Sequence, residues 1–79
     1  MRVLFFAHLK AVAGCDTLDL HAPAPLDAAQ FWTELLARIP ALAPHRRSVR
    51  LARNLEYAAP DTRFGDSDEV ALIPPVSGG

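Results

Sequence analysis

Only one long stretch of this chain, about three turns, repeats its apolar residues at helical spacing, and that scarcity limits the fold more than any other feature. Ala28, Phe31, Trp32, Leu35, Leu36 and Ile39 recur at i, i+3, i+4, i+7, i+8 and i+11, which puts them on one stripe of a single helix. Asp27, with Gln30 three positions on, predicts a capping-box start after Pro23 and Pro25, and Pro40 ends the run. Helical spacing accounts for Phe31 and Trp32 as core residues, so neither reads as a cofactor contact. The remaining apolar residues must then be buried by strands.

Arg2 to Ala7 is a short apolar run suited to a central strand, with Val3, Phe5 and Ala7 on one face and Leu4, Phe6 and His8 on the other. Lys10 to Asp16, with Gly14, reads as a turn into a second strand, Thr17 to His21, and the two strands form a hairpin. Pro44 keeps the segment after the helix irregular or at most a single turn. Ser48 to Arg53 reads as a third strand with a bulge or strand end at Arg53, and Leu55 to Ala58 as a short edge strand. Asp61 to Asp68 carries Gly65 and several carboxylates, as a solvated turn does. Glu69 to Ile73 closes the sheet, with Val70 and Leu72 on one face and Ala71 and Ile73 on the other.

One main helix for four to five strands predicts an α+β domain whose helix covers one face only. If the first and last strands are neighbours, the opposite face presents Leu4, Phe6 and Ile73. An apolar patch left open in this way marks a partner site.

With 79 residues there is room for one small domain, which buries about 60–65% of its unfolded surface. The 51% apolar content argues for a folded chain, and a net charge of −1 gives no electrostatic case for nucleic acid or a membrane surface. Cys15 has no second cysteine to pair with, and no basic leader precedes a long apolar run, so the cytoplasm is the expected compartment. Cys15 reads as an incidental thiol. His8, His21 and His45 lie on separate elements without metal-ligand spacing, so no metal site is expected. The acidic group Asp61, Asp66, Asp68 and Glu69 reads as a solvated turn, with docking to a basic partner as the minority alternative. His45, Arg46, Arg47, Arg50 and Arg53 read as a solvated loop and strand face, with contact to carboxylates or phosphate at an interface as the minority alternative.

No phosphate loop, nucleophile triad or catalytic carboxylate pair appears, and the ending Pro74-Pro75-Val76-Ser77-Gly78-Gly79 becomes the best chemical candidate. Gly78 and Gly79 lack side chains and can thread a channel that any Cβ would block. The Pro-Pro base has fixed φ angles and holds such a tail away from the body, with a reach of at most roughly 20 Å from Pro74 to Gly79. The organisation expected is a body over 1–74 and a flexible tail over 75–79. A carboxylate resists nucleophiles, but joined to adenylate it acquires a good leaving group that sulfur can replace, giving a thiocarboxylate.

The opening Val3-Leu4-Phe5-Phe6-Ala7, the turn and strand Asp66-Ser67-Asp68-Glu69-Val70-Ala71, and the ending Ile73-Pro74-Pro75-Val76-Ser77-Gly78-Gly79 resemble the small, sulfur-carrier subunits of molybdopterin synthase, in the MoaD/ThiS group of ubiquitin-like proteins. The resemblance spans the chain. It implies a ubiquitin-like β-grasp fold and a sulfur-carrier role in molybdenum cofactor biosynthesis. An adenylyltransferase related to ubiquitin activators would use ATP and magnesium to activate Gly79, with Gly78 beside it, and a sulfur donor protein would supply the sulfur. No cofactor is expected to stay on the carrier itself.

The same resemblance implies insertion of the tail into the large synthase subunit, which holds the catalytic residues and receives sulfur on cyclic pyranopterin monophosphate, within a heterotetramer. Phe6, Ile73 and Tyr57 match family residues of the apolar interface, and Pro74, Pro75, Val76 and Ser77 belong to the inserted ending. Ser67, where glycine is usual, and Arg53, where an apolar residue is common, depart from the pattern. The alternatives are a sulfur carrier for thiamin, cysteine or tRNA thiolation, and a conjugation or interaction module of the same fold.

Overall fold

The computed structural model of the chain describes residues 1–75; Val76, Ser77, Gly78 and Gly79 lie outside the described residues. Strand β1 (Arg2–Phe5) leads into helix α1 (His8–Ala13), and β2 (Thr17–Asp19) returns alongside β1. The main helix, α2 (Ala28–Arg38), follows, and a 3₁₀ segment (Pro40–Ser48) connects it to β3 (Arg50–Arg53), β4 (Glu56–Tyr57) and β5 (Glu69–Ile73). The sheet order is β2-β1-β5-β3-β4. β1 and β5 are parallel in the middle and the other pairs are antiparallel, so the expected N-terminal hairpin forms and the first and last strands are neighbours.

α2 begins as its sequence requires. The Asp27 side chain accepts from Gln30 N at 2.8 Å, and Gln30 Oε1 accepts from Asp27 N at 2.9 Å. Such a box contributes about 1 kcal/mol of helix stability. Phe31, Trp32 and Leu35 turn the helix's apolar stripe onto Val3, Phe5, Val70 and Leu72, all of them buried. Each large side chain taken out of water there contributes about 1.5–3 kcal/mol.

Two segments depart from the sequence reading. The expected turn over Lys10 to Asp16 is largely helix, His8–Ala13, closed by Gly14 at φ 77. Leu9, Val12 and Ala13 fall at i, i+3 and i+4 and pack into the core, and that burial holds a helix too short to persist alone. After α2, the segment expected to make one turn at most continues as 3₁₀ turns for nine residues. Both Pro40 and Pro44 suit the φ of a 3₁₀ turn, and the fully buried Leu42 pins the segment to the core. The described residues therefore carry three helical pieces, with α2 the main one.

The 61–68 stretch also holds more than a solvated turn. Phe64 is fully buried, 5.3 Å from Phe31 between ring centroids, and Phe64 and Leu26 exchange backbone hydrogen bonds of 2.8 and 2.9 Å. Arg53 ends its strand, as its place in the alternation requires. Asn54 and Leu55, both at positive φ (50° and 74°), turn the chain directly into β4. A two-residue hairpin of the primed type needs that backbone.

Candidate functional site

The pairing registers sort the outer face of the sheet, away from α2, into three rows. Arg2 stands between Asp19 on β2 and Glu69 on β5, forming a charged row. Thr17, Leu4, Ala71, Ala52 and Tyr57 follow one another across the five strands as a mainly apolar row. The third row lies where the chain leaves the sheet. Phe6 follows Phe5, the partner of Leu72, and Ile73 is paired with Arg50.

Leu4, Phe6, Leu55, Tyr57, Ala71 and Ile73 together line an open groove of about 290 Å³. Phe6 is 42% exposed, Tyr57 58% and Leu55 91%, whereas Val3 and Val70, on the inner side of the same strands, are fully buried. Among the described residues no helix covers this groove: the buried side chains of α2 join the core on the other face. Pro74 is half-buried and Pro75 exposed, so the chain emerges into solvent beside the third row.

The structure thus brings Phe6, Tyr57 and Ile73 to one surface, with Pro74 and Pro75 following directly. Val76, Ser77, Gly78 and Gly79, the other candidate positions, lie outside the described residues. Leu55 was not singled out by sequence reasoning. Its signal was a large apolar side chain between Asn54 and Glu56, in a turn where polar residues or glycine are usual. The stacking of Arg50 on Tyr57, with the guanidinium carbon 3.9 Å from the ring centroid, had no sequence signal beyond the pairing of β3 with β4.

Two carboxylates of the 61–69 region, those of Asp66 and Asp68, act as structural ties. Asp66 Oδ1 accepts from Ala22 N at 2.8 Å, lies 3.5 Å from the Met1 ammonium and 3.3 Å from His21 Nδ1. The Ala22 hydrogen bond, helped by the ammonium and by His21, holds the Asp66 carboxyl below the usual carboxylate range. Asp68 accepts from Gly65 N at 2.7 Å and from Asn54 Nδ2 at 2.9 Å, and these bonds with nearby Arg53 lower it likewise. Asn54 Oδ1 accepts from Glu69 N at 2.9 Å, tying the β3–β4 turn to the start of β5.

The other reactive side chains stand apart from the groove. Cys15 is half-buried, its Sγ 3.8 Å from Ala13 O. The His8 and His45 rings come within 5.5 Å of each other between centroids, a proximity the sequence did not predict. No group of three or more His, Cys, Asp or Glu among the described residues could hold a metal ion, and no helix there is long and apolar enough to cross a membrane.

Residues 3–79, the open face and the glycine ending included, match the profile described as the ThiS family. The chain belongs to the ThiS family. This ThiS-family chain is 35% identical over 79 residues to a molybdopterin synthase sulfur carrier subunit of Arabidopsis thaliana, covering 100% of this chain and 82% of that one. It is 34% identical over 86 residues to the subunit of the same name from Homo sapiens, covering 100% and 93%. The crystal structure of SAMP1 from Haloferax volcanii superposes with a TM-score of 0.82 at 31% identity, over 100% of this chain and 98% of that one. A complex of subunits 1 and 2 of molybdopterin-converting factor from Helicobacter pylori 26695 gives a TM-score of 0.68 at 23% identity, over 99% and 96%, a likeness of fold. The mixed five-stranded sheet with α2 packed on it is the ubiquitin-like β-grasp that the resemblance implied.

Proposed function

We propose that this chain is the sulfur carrier subunit of a molybdopterin synthase. The observation that carries the reading is the open apolar face: its last row ends at Ile73, and the chain continues from there through Pro74 and Pro75 to Gly79. Kinship over the full length with subunits of that name supports it.

In this reading residues 1–74 are the body and 75–79 the tail. An activating enzyme of the ubiquitin-activator type, using ATP and magnesium, joins the Gly79 carboxylate to AMP with release of pyrophosphate. Sulfur from a donor protein displaces AMP and leaves a thiocarboxylate. The large synthase subunit, docked on Phe6, Tyr57 and Ile73, takes in Val76, Ser77, Gly78 and Gly79 and presents cyclic pyranopterin monophosphate to the sulfur. Two charged carriers supply one dithiolene, consistent with a heterotetramer working in the cytoplasm. The carrier's own contribution is a docking face fixed relative to the base of its tail. The folded body then sets where the reactive end arrives.

Incubation with the cognate activator, ATP, magnesium and a sulfur donor should raise the protein's mass by the difference between one sulfur and one oxygen atom. Deletion of Gly79 should abolish that gain and leave the circular dichroism spectrum unchanged. A wild-type chain that never gains the mass would contradict the proposal.

A second reading, favoured by the SAMP1 likeness, is a protein modifier whose terminal glycine is joined to lysines of other proteins. Lysine-linked adducts recovered from cells lacking the large synthase subunit would support this reading.

A further inference from the structure

Arg50 occupies an unusual place on the open face. It is paired with Ile73, so the two side chains stand next to each other in the row where the chain leaves the sheet. Its guanidinium lies over Tyr57, 3.9 Å from the ring centroid, which fixes a long flexible side chain at the groove's edge. The other sheet charges of this face, Asp19, Arg2 and Glu69, adjoin one another in the opposite row and include both signs. Among the described residues Arg50 has no carboxylate partner, and the ion pairs there run from Met1 and His21 to Asp66. The segment leading into it, Pro40 to Val49, contains His45, Arg46 and Arg47 and no acidic residue.

A partner that covers Tyr57 and Ile73 must also cover the guanidinium stacked on Tyr57. Removing that charge from water without an acceptor opposes binding, whereas a carboxylate facing its planar N–H edge forms a strong, directional pair. We propose that Arg50 is the charged anchor of the docking face and pairs with a carboxylate that the large synthase subunit places beside the mouth of its tail channel. This inference rests on the docking reading above and adds the chemistry the partner surface must carry.

The test is binding of the full-length carrier to its cognate large subunit by calorimetry at about 50 and about 500 mM salt. Arg50 is exposed, so its variants keep the fold. Arg50→Ala should weaken binding about 10-fold or more at low salt and flatten the salt dependence, while Arg50→Glu should weaken it further. Arg50→Lys should keep the salt dependence and part of the affinity. Phe6→Asp serves as the control for the docking face. If Phe6→Asp abolishes binding while Arg50→Ala stays within about twofold of wild type, the face stands and the ion pair is wrong. A loss in Arg50→Ala that is identical at both salt concentrations assigns the effect to stacking and also overturns the pair. So does a loss confined to binding of the adenylating enzyme. If Phe6→Asp binds normally, the docking reading itself fails and the inference with it.

Discussion

The two faces of the central strands are built from similar residues and have opposite fates. On the inner face Val3, Phe5, Val70 and Leu72 are buried under α2; on the outer face Leu4, Phe6, Ala71 and Ile73 line an open groove. Hydrophobicity does not separate the two sets, since Phe5 and Phe6 are the same residue one position apart. Cover separates them. With one main helix for five strands, the fold can satisfy only one side from its own chain. The outer side keeps an apolar surface that costs solubility unless a partner uses it.

The strongest test of this contrast uses adjacent residues. Leu72→Asp places a charge among Phe31, Leu35 and their neighbours, at a cost on the order of 5 kcal/mol or more. That is comparable with the whole stability of a domain of this size, so the variant should be largely unfolded by circular dichroism. Ile73→Asp, one residue on and facing the groove, should remain folded and lose binding to the large subunit. Unfolding of both variants would mean that the outer face is part of the core, and the contrast would fail.

Smaller truncations should divide in the same way. Val3→Ala should lower stability in urea by about 2 kcal/mol, the transfer and cavity cost of a buried side chain. Leu4→Ala on the open face should lower it by less than about 1 kcal/mol, because water already reaches the site. Equal losses would show that the groove is better covered than its exposure indicates.

Much of this arrangement was legible in the sequence, and the misses have physical causes. The α2 stripe, the Asp27 and Gln30 cap and the alternation of Glu69 to Ile73 each depend on neighbours within a few positions, so they could be read directly. Given the parity of two strands, the open face needed only the guess that β1 and β5 adjoin. α1 was missed because Gly14 signals both a turn and a helix end, and six residues give too little period to choose. Phe64 was hidden by its acidic surroundings: its burial depends on Phe31 and Leu26, more than thirty positions away in sequence, and on no local pattern. The roles of Asp66 and Asp68 were misjudged for the same reason, since their partners include Ala22 and Asn54 from other segments.

Those two carboxylates extend the comparison to pH. Asp66 ties the start of β1 and the Ala22 segment to the turn before β5, and its folded pKa lies below the ordinary 3.8. A depressed carboxylate contributes stability that is fully present above the unfolded value and is lost as pH falls through the folded one. Asp66→Asn should therefore melt at a lower temperature than wild type at pH 7, and the gap should close progressively as the pH drops below about 3.8. An Ile73→Ala variant removes no carboxylate, so its gap from wild type should show no such convergence. A gap that persists unchanged in acid would assign the Asp66 effect to shape and not to charge.

The smallest effect is expected at Leu55, where the two faces meet the β3–β4 turn. A side chain at φ 74 meets its own backbone, and left-handed geometry costs an L-residue roughly 1 kcal/mol, while glycine adopts it freely. Asn54 already supplies the first residue of an Asn-Gly turn, so Leu55→Gly completes a preferred hairpin sequence. The variant should gain up to about 1 kcal/mol in urea unfolding. A residue that is 91% exposed and strained contributes little to the fold that carries it, so its benefit must be sought elsewhere. If Leu55 belongs to the docking face, Leu55→Gly should be more stable and bind the large subunit more weakly. Increased stability with unchanged affinity would place the edge of the interface at Tyr57 and leave Leu55 outside it.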